Sequence, residues 1–63
     1  MGRRFELVGW STETVRVELD PEEYRGMSAT QRVDAIGALL AELAPGVNFN
    51  GFDIQRVASE LAA

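Results

Sequence analysis

Ten carboxylates, six arginines and a scatter of hydroxyls are the groups in this 63-residue chain that could do chemistry, because it contains no Cys, no His and no Lys. General acid-base catalysis draws most often on His, and covalent catalysis needs a Cys, Ser, Thr, Lys or carboxylate nucleophile with a positioned base. Carboxylate chemistry is what remains. A pair of acids working on a glycoside needs a cleft that holds a sugar between them, and a chain this short has little mass from which to build one. The inventory points away from an enzyme and toward a protein that acts through its surfaces, with no cofactor and no small-molecule substrate.

Metal and phosphate sites fare no better. Asn48-Phe49-Asn50-Gly51 has the oxygen ligands and glycine of the middle of a calcium loop, but that register puts Gly46 at the first position and Val57 at the twelfth, where Asp and Glu should stand. Turn formation and helix capping are the simpler roles for these residues. Neither G-x-G-x-x-G nor G-x-x-x-x-G-K-[ST] occurs.

The net charge is −4 with a pI near 4.5, and acids gather at Glu13, Glu18, Asp20, Glu22 and Glu23. Non-specific nucleic-acid affinity comes from clustered Lys and Arg, so the balance disfavours DNA or RNA as a partner. The acidic run is expected to serve helix-start chemistry, with a docking patch for a basic partner as its alternative. There is no apolar run of membrane-spanning length and no signal-peptide h-region, which predicts a cytoplasmic protein. Arg without Lys, beside eight Ala, matches the composition of a high-GC bacterial or phage genome.

With 46% hydrophobic and 25% charged residues the chain is expected to fold, as one domain over 1–63. A domain this small buries only about 60% of its unfolded surface, and the disulfide and most metal remedies are closed to it. Contact with another chain is the remedy left.

Residues 4–10 alternate, with Phe5 and Leu7 on one side and Arg4, Glu6 and Val8 on the other. Residues 14–19 do so more cleanly, with Val15, Val17 and Leu19 inward. Trp10-Ser11-Thr12-Glu13 can join the two as a hairpin, although the Asn-Gly or Asp-Gly signal is missing. Asp20-Pro21-Glu22-Glu23 supplies a cap, a first-turn proline and first-turn acids for a helical turn reaching about Met27. Ser28 and Gln31 form a capping-box pattern opening a helix whose Val33, Ile36, Leu40 and Leu43 make its apolar stripe, widened by Leu39 and ended by Pro45-Gly46. Val47 and Phe49 in the next loop need apolar cover. Asn50 then starts a last helix carrying Ile54, Val57, Ala58 and Leu61. The expected fold is α+β: an antiparallel β-hairpin packed against two main helices, in ββαα order with a short helical turn before the long helix. A lone hairpin is marginal in water, and both of its edges are expected to stay open.

Three places could carry contacts. Trp10, the only Trp, sits at the hairpin tip on the outward parity, either as an interface anchor or folded back over its own core. The second face of the long helix holds Gln31, Asp34, Ala35, Ala38, Ala41 and Glu42, with Gly37 nearby; small residues there allow close helix approach, while alanine-rich composition explains them without function. Arg16, with Arg3 and Arg4, could form a basic spot on the outer hairpin face, or simply pair across strands with Glu6 and Glu18.

Thr14-Val15-Arg16-Val17-Glu18-Leu19-Asp20-Pro21-Glu22-Glu23 resembles the strand-to-helix entry of ribbon-helix-helix repressors. That resemblance implies dimerisation through the strand and DNA contact by its outward residues. The chain departs from the family in its extra strand over 5–10, in its very short first helix, and in its acidity. The expectation is therefore a soluble, non-catalytic protein-protein interaction module or small adaptor. It would self-associate as a homodimer through the hairpin edge or the alanine-lined face formed by Gly37, Ala38 and Ala41, with a small DNA-binding regulator as the alternative.

Overall fold

The alternating stretches form strands β1 (Arg3–Val8) and β2 (Thr14–Leu19), and the helical stretches form α1 (Pro21–Tyr24), α2 (Ala29–Leu43) and α3 (Gly51–Ala62), in a computed structural model that describes residues 2–62. The fold is α+β, an antiparallel two-stranded hairpin followed by helices, as the patterning predicts. Its register runs without a bulge from Arg3 opposite Leu19 to Val8 opposite Thr14.

The strands meet in a tight tip. Gly9 N donates to Glu13 O at 2.8 Å and Thr12 N to Gly9 O at 3.0 Å, which leaves Trp10, Ser11 and Thr12 as the loop and ends β1 at Val8, short of the expected Trp10. Such loops close with a residue in the left-handed region, usually Gly. Here it is Thr12, at φ 70°, where a β-branched side chain is strained.

Local chemistry sets the helix ends. Asp20 accepts from Glu22 N at 3.0 Å and Pro21 occupies the first helical position, but α1 stops at Tyr24, short of the expected Met27. Gly26 follows, and Ser28 restarts the chain as a new N-cap. Its Oγ accepts from Gln31 N at 3.2 Å while Gln31 Oε1 accepts from Ser28 N at 2.9 Å, completing the capping box. Beyond Leu43, Gly46 takes φ 90° and turns the chain back. Asn50 caps α3 through Phe52 N at 2.8 Å, the turn-and-cap role expected of this loop.

The core joins Phe5 and Leu7 of β1, Val17 and Leu19 of β2, Tyr24 of α1, Ile36 and Leu40 of α2, and Val57, Ala58 and Leu61 of α3. At about 25 cal/mol per Å² of apolar surface removed from water, these contacts are the main favourable term of folding. The α2 stripe is narrower than its period suggests. Ile36 and Leu40 are buried and Val33 half-buried, but Leu43 is 58% exposed, because the helix ends there and the chain turns away beneath it. Ala35, assigned by period to the outer face, packs against the core. Burial raises the Tyr24 phenol above its ordinary pKa, with Glu23 adding to the shift.

The expectation of two open edges is half corrected. In an antiparallel pair, main-chain groups point alternately toward the partner strand and away from it. The Gly9–Glu13 bond therefore turns Val8, Glu6 and Arg4 outward on β1, and Thr14, Arg16 and Glu18 outward on β2. On the β1 side the tip half of the edge is partly met: Trp10 N donates to Asn48 O at 2.8 Å, Val8 N to Asp53 Oδ2 at 2.9 Å, and Arg56 Nη2 to Glu6 O at 2.8 Å, while the main chain of Arg4 meets no described group. Phe49 bridges to Gly9 as a stub of third strand and packs on the core, while half-buried Val47 lies against Gly9. Gly9 allows this approach, since a Cβ there would lie 2.7 Å from Val47 Cγ1 and 3.1 Å from Asn48 O. On the β2 side, among the described residues, nothing bonds to the main chain of Thr14, Arg16 or Glu18.

Candidate interaction surfaces

The β2 edge is built by alternation. Because Val17 and Leu19 are drawn into the core, Arg16 and Glu18 must stand on the outer face with their main-chain groups facing away from β1. Arg16 Nε donates to Glu6 Oε1 at 3.0 Å, so the cross-strand pair forms as expected, and Arg4 faces Glu18 in the same register. Both partners of the Arg16–Glu6 pair are mostly exposed, so it contributes only a few tenths of a kcal/mol. The Arg3 guanidinium lies 5.3 Å from the centre of the Phe5 ring and donates to Glu60 O, away from this row.

A second surface lies beside the covered β1 edge. Trp10 does not fold back over the core. It is 70% exposed, with its main chain pinned to Asn48 and its indole outside. Phe52, 81% exposed, stands near it at the start of α3, and with Val8, Asn50, Asp53 and Arg56 they line a shallow groove of about 380 Å³. The groove's polar wall is held internally. Asp53 Oδ1 pairs with Arg56 at 2.9 Å while its other oxygen serves Val8, and Arg56 reaches Glu60 at 2.7 Å. These carboxylates, Asp53 foremost, raise the Arg56 guanidinium further above its ordinary pKa. Phe52 was missed in the sequence, although a signal exists: it lies two residues before Ile54, about 200° around the helix from the buried stripe.

The third surface is the outer side of α2. Gly37 is half-buried, Ala38 and Ala41 are exposed, and a Cβ at Gly37 would meet nothing within 4 Å. Among the described residues nothing therefore requires glycine there. A further groove between α2 and α3, of about 390 Å³, is lined in part by Arg32, Val33, Gln55 and Ser59. Its arginine is committed to the carbonyls of Met27 and Ala58.

Among the described residues no group of three or more carboxylates is placed to hold a metal, and no helix is long and apolar enough to cross a membrane. Trp10, Arg16 and the Gly37–Ala41 face thus belong to three separate surfaces rather than one site. Comparison with protein families, curated proteins and solved structures finds no match.

Proposed function

We propose that this chain is a non-catalytic protein-protein interaction module that takes up another chain along the edge of β2. The observation that carries the reading is the uncovered main chain of Thr14, Arg16 and Glu18. Natural edge strands are blunted by prolines, bulges, inward charges or a covering loop. Among the described residues the β2 edge has none of these from Thr14 to Glu18; the one edge device it does carry is the charge of Arg16 and Glu18, which selects a partner of complementary charge, and an added strand would satisfy its donors and acceptors. A Cys-free composition fits a cytoplasmic location, where stability comes from contacts rather than disulfides.

The DNA-binding alternative draws less support. Arg3, Arg32 and Arg56 donate to main-chain carbonyls of their own chain, which leaves Arg4, Arg16 and Arg25 to face phosphates against a net charge of −4. A second reading, contact through the Gly37, Ala38 and Ala41 face, is favoured by the open space at Gly37.

The test is Arg16→Pro. Proline is tolerated on an edge strand where its nitrogen faces outward, so the fold is expected to persist while strand addition is blocked. Wild type and variant are compared as baits in the native host and by sedimentation. Contacts made by the wild type and lost in the variant support the reading; identical contacts overturn it.

A further inference from the structure

The outward residues of β2 are complementary to themselves. Closed two-fold association brings the same edge of two copies together antiparallel. The alternation then allows few registers, because outward-facing main chain must meet outward-facing main chain. Setting Arg16 against Arg16 of a second copy places like charges face to face, which is unfavourable. Setting Thr14 against Arg16 gains no charge pair. Sliding so that Val17 faces Val17 of the second copy sets Arg16 against its Glu18, and Glu18 against its Arg16, each pair exchanging main-chain hydrogen bonds.

We propose that the β2 edge is completed by a second copy of this chain, antiparallel and in this last register, giving a four-stranded sheet. The inference rests on the reading of β2 as the contact edge and names its occupant. Three observations carry it. Each copy already aligns Glu6 with Arg16 and Arg4 with Glu18 across its own strands. The joined sheet therefore bears two rows of alternating sign, running Glu6, Arg16, then Glu18 and Arg4 of the second copy, and the mirror of that row. Second, Arg16 spends only its Nε on Glu6, and its side chain is 76% exposed, so its remaining donors are free to reach across. Third, the inner face continues without a break: half-buried Val15 would gain Leu19 of the second copy as its neighbour, and Val17 would meet Val17. A heterologous strand would need its own matching order of charge and apolar residues. A second copy has it already.

The experiment is sedimentation equilibrium at physiological salt, from low micromolar to several hundred micromolar, on wild type, Arg16→Glu, Glu18→Arg and an equimolar mixture of the two variants. Wild type should pass from monomer to dimer. Each variant alone faces like charge with like, and its association should fall at least about tenfold. The mixture, which again opposes Glu to Arg, should recover it. Register is read separately in this Cys-free chain: Val17→Cys should oxidise to a covalent dimer, since residues facing each other in a non-hydrogen-bonded pair lie within disulfide reach, whereas Val15→Cys should not. A wild type that stays monomeric throughout, variants that associate like the wild type, a mixture that fails to recover, or preferential Val15→Cys coupling each overturns the inference. A monomeric wild type whose contacts with a different protein are lost in Arg16→Pro would overturn the second copy while keeping β2 as the contact edge.

Discussion

Along β1 Glu6 O, Val8 N and Trp10 N are met by Arg56, Asp53 and Asn48, with only the Arg4 end left open, whereas along β2 the outward main chain of Thr14, Arg16 and Glu18 meets no described group. The two strands have equal length and similar composition, so the difference does not arise within them. It arises from where the chain returns. α3 lies against β1, and α1 and α2 lie against α3, so one strand receives caps from a helix and its leading loop while the other is left at the margin. A helix can close a sheet edge without a third strand when an acid in its first turn and an arginine one turn later point at that edge. Asp53 and Arg56 have that spacing, and their mutual ion pair holds both in place.

The largest way to break this asymmetry is Gly9→Val. Its branched side chain would collide with Val47 and the Asn48 carbonyl, pushing the covering loop off β1 and exposing a second edge. We expect a loss of about 2 kcal/mol in urea unfolding, the usual cost of overpacking at a rigid contact, together with faster amide exchange at Trp10. Asp53→Ala attacks the same cover from the helix. It leaves Val8 N–H without its acceptor and frees Arg56, with an expected cost of about 1–2 kcal/mol, because the lost hydrogen bond is made to a charged group. Amide exchange at Val8 should rise toward that of Arg16 measured at low concentration. Exchange at Val8 unchanged in this variant would show that the α3 caps do not protect the edge.

Thr12→Gly acts at the tip that both strands share. Replacing a β-branched residue at φ 70° with glycine relieves strain that exceeds glycine's entropic penalty, so the domain should gain about 1 kcal/mol. The gain should stabilise both strands equally and leave the contrast between the edges intact. A loss of stability would mean that the strain at Thr12 is smaller than glycine's entropic penalty together with the lost Thr12 hydroxyl bond to Ser11 O.

Much of this was legible because its causes are local. The capping box at Ser28 and Gln31, the Asp20-Pro21 helix start and the alternation of 14–19 each lie within a few residues of one another; β2 and α2 formed close to their expected bounds, and α1 began where expected but stopped at Tyr24. What was illegible is long-range. Asp53 looks like ordinary first-turn acid, yet one of its oxygens serves Val8, 45 residues away. Gly9 looks like a break in a strand, yet its missing side chain admits Val47 and Asn48. The cover of β1 depends on these two meetings, which no spacing in the chain encodes, and so the surviving edge could not be chosen in advance. Leu43 shows the converse error: a correct period followed one turn past the point where the helix still had something to pack against.

The smallest effect separates the β2 edge from the remaining rival surface. Gly37 sits inside α2, and a Cβ there meets nothing, so Gly37→Ala should raise stability by about 0.5–1 kcal/mol through the lower entropy of the unfolded chain and better helix propensity. If the β2 edge alone is the contact, self-association of this variant should equal that of the wild type, since the new methyl lies on another element. If the outer face of α2 packs closely against a second backbone, the same methyl stands in the way, and association should weaken even as the monomer grows more stable. Stability and association moving in opposite directions would place the contact on the helix. A gain in stability with unchanged sedimentation would leave it on the strand.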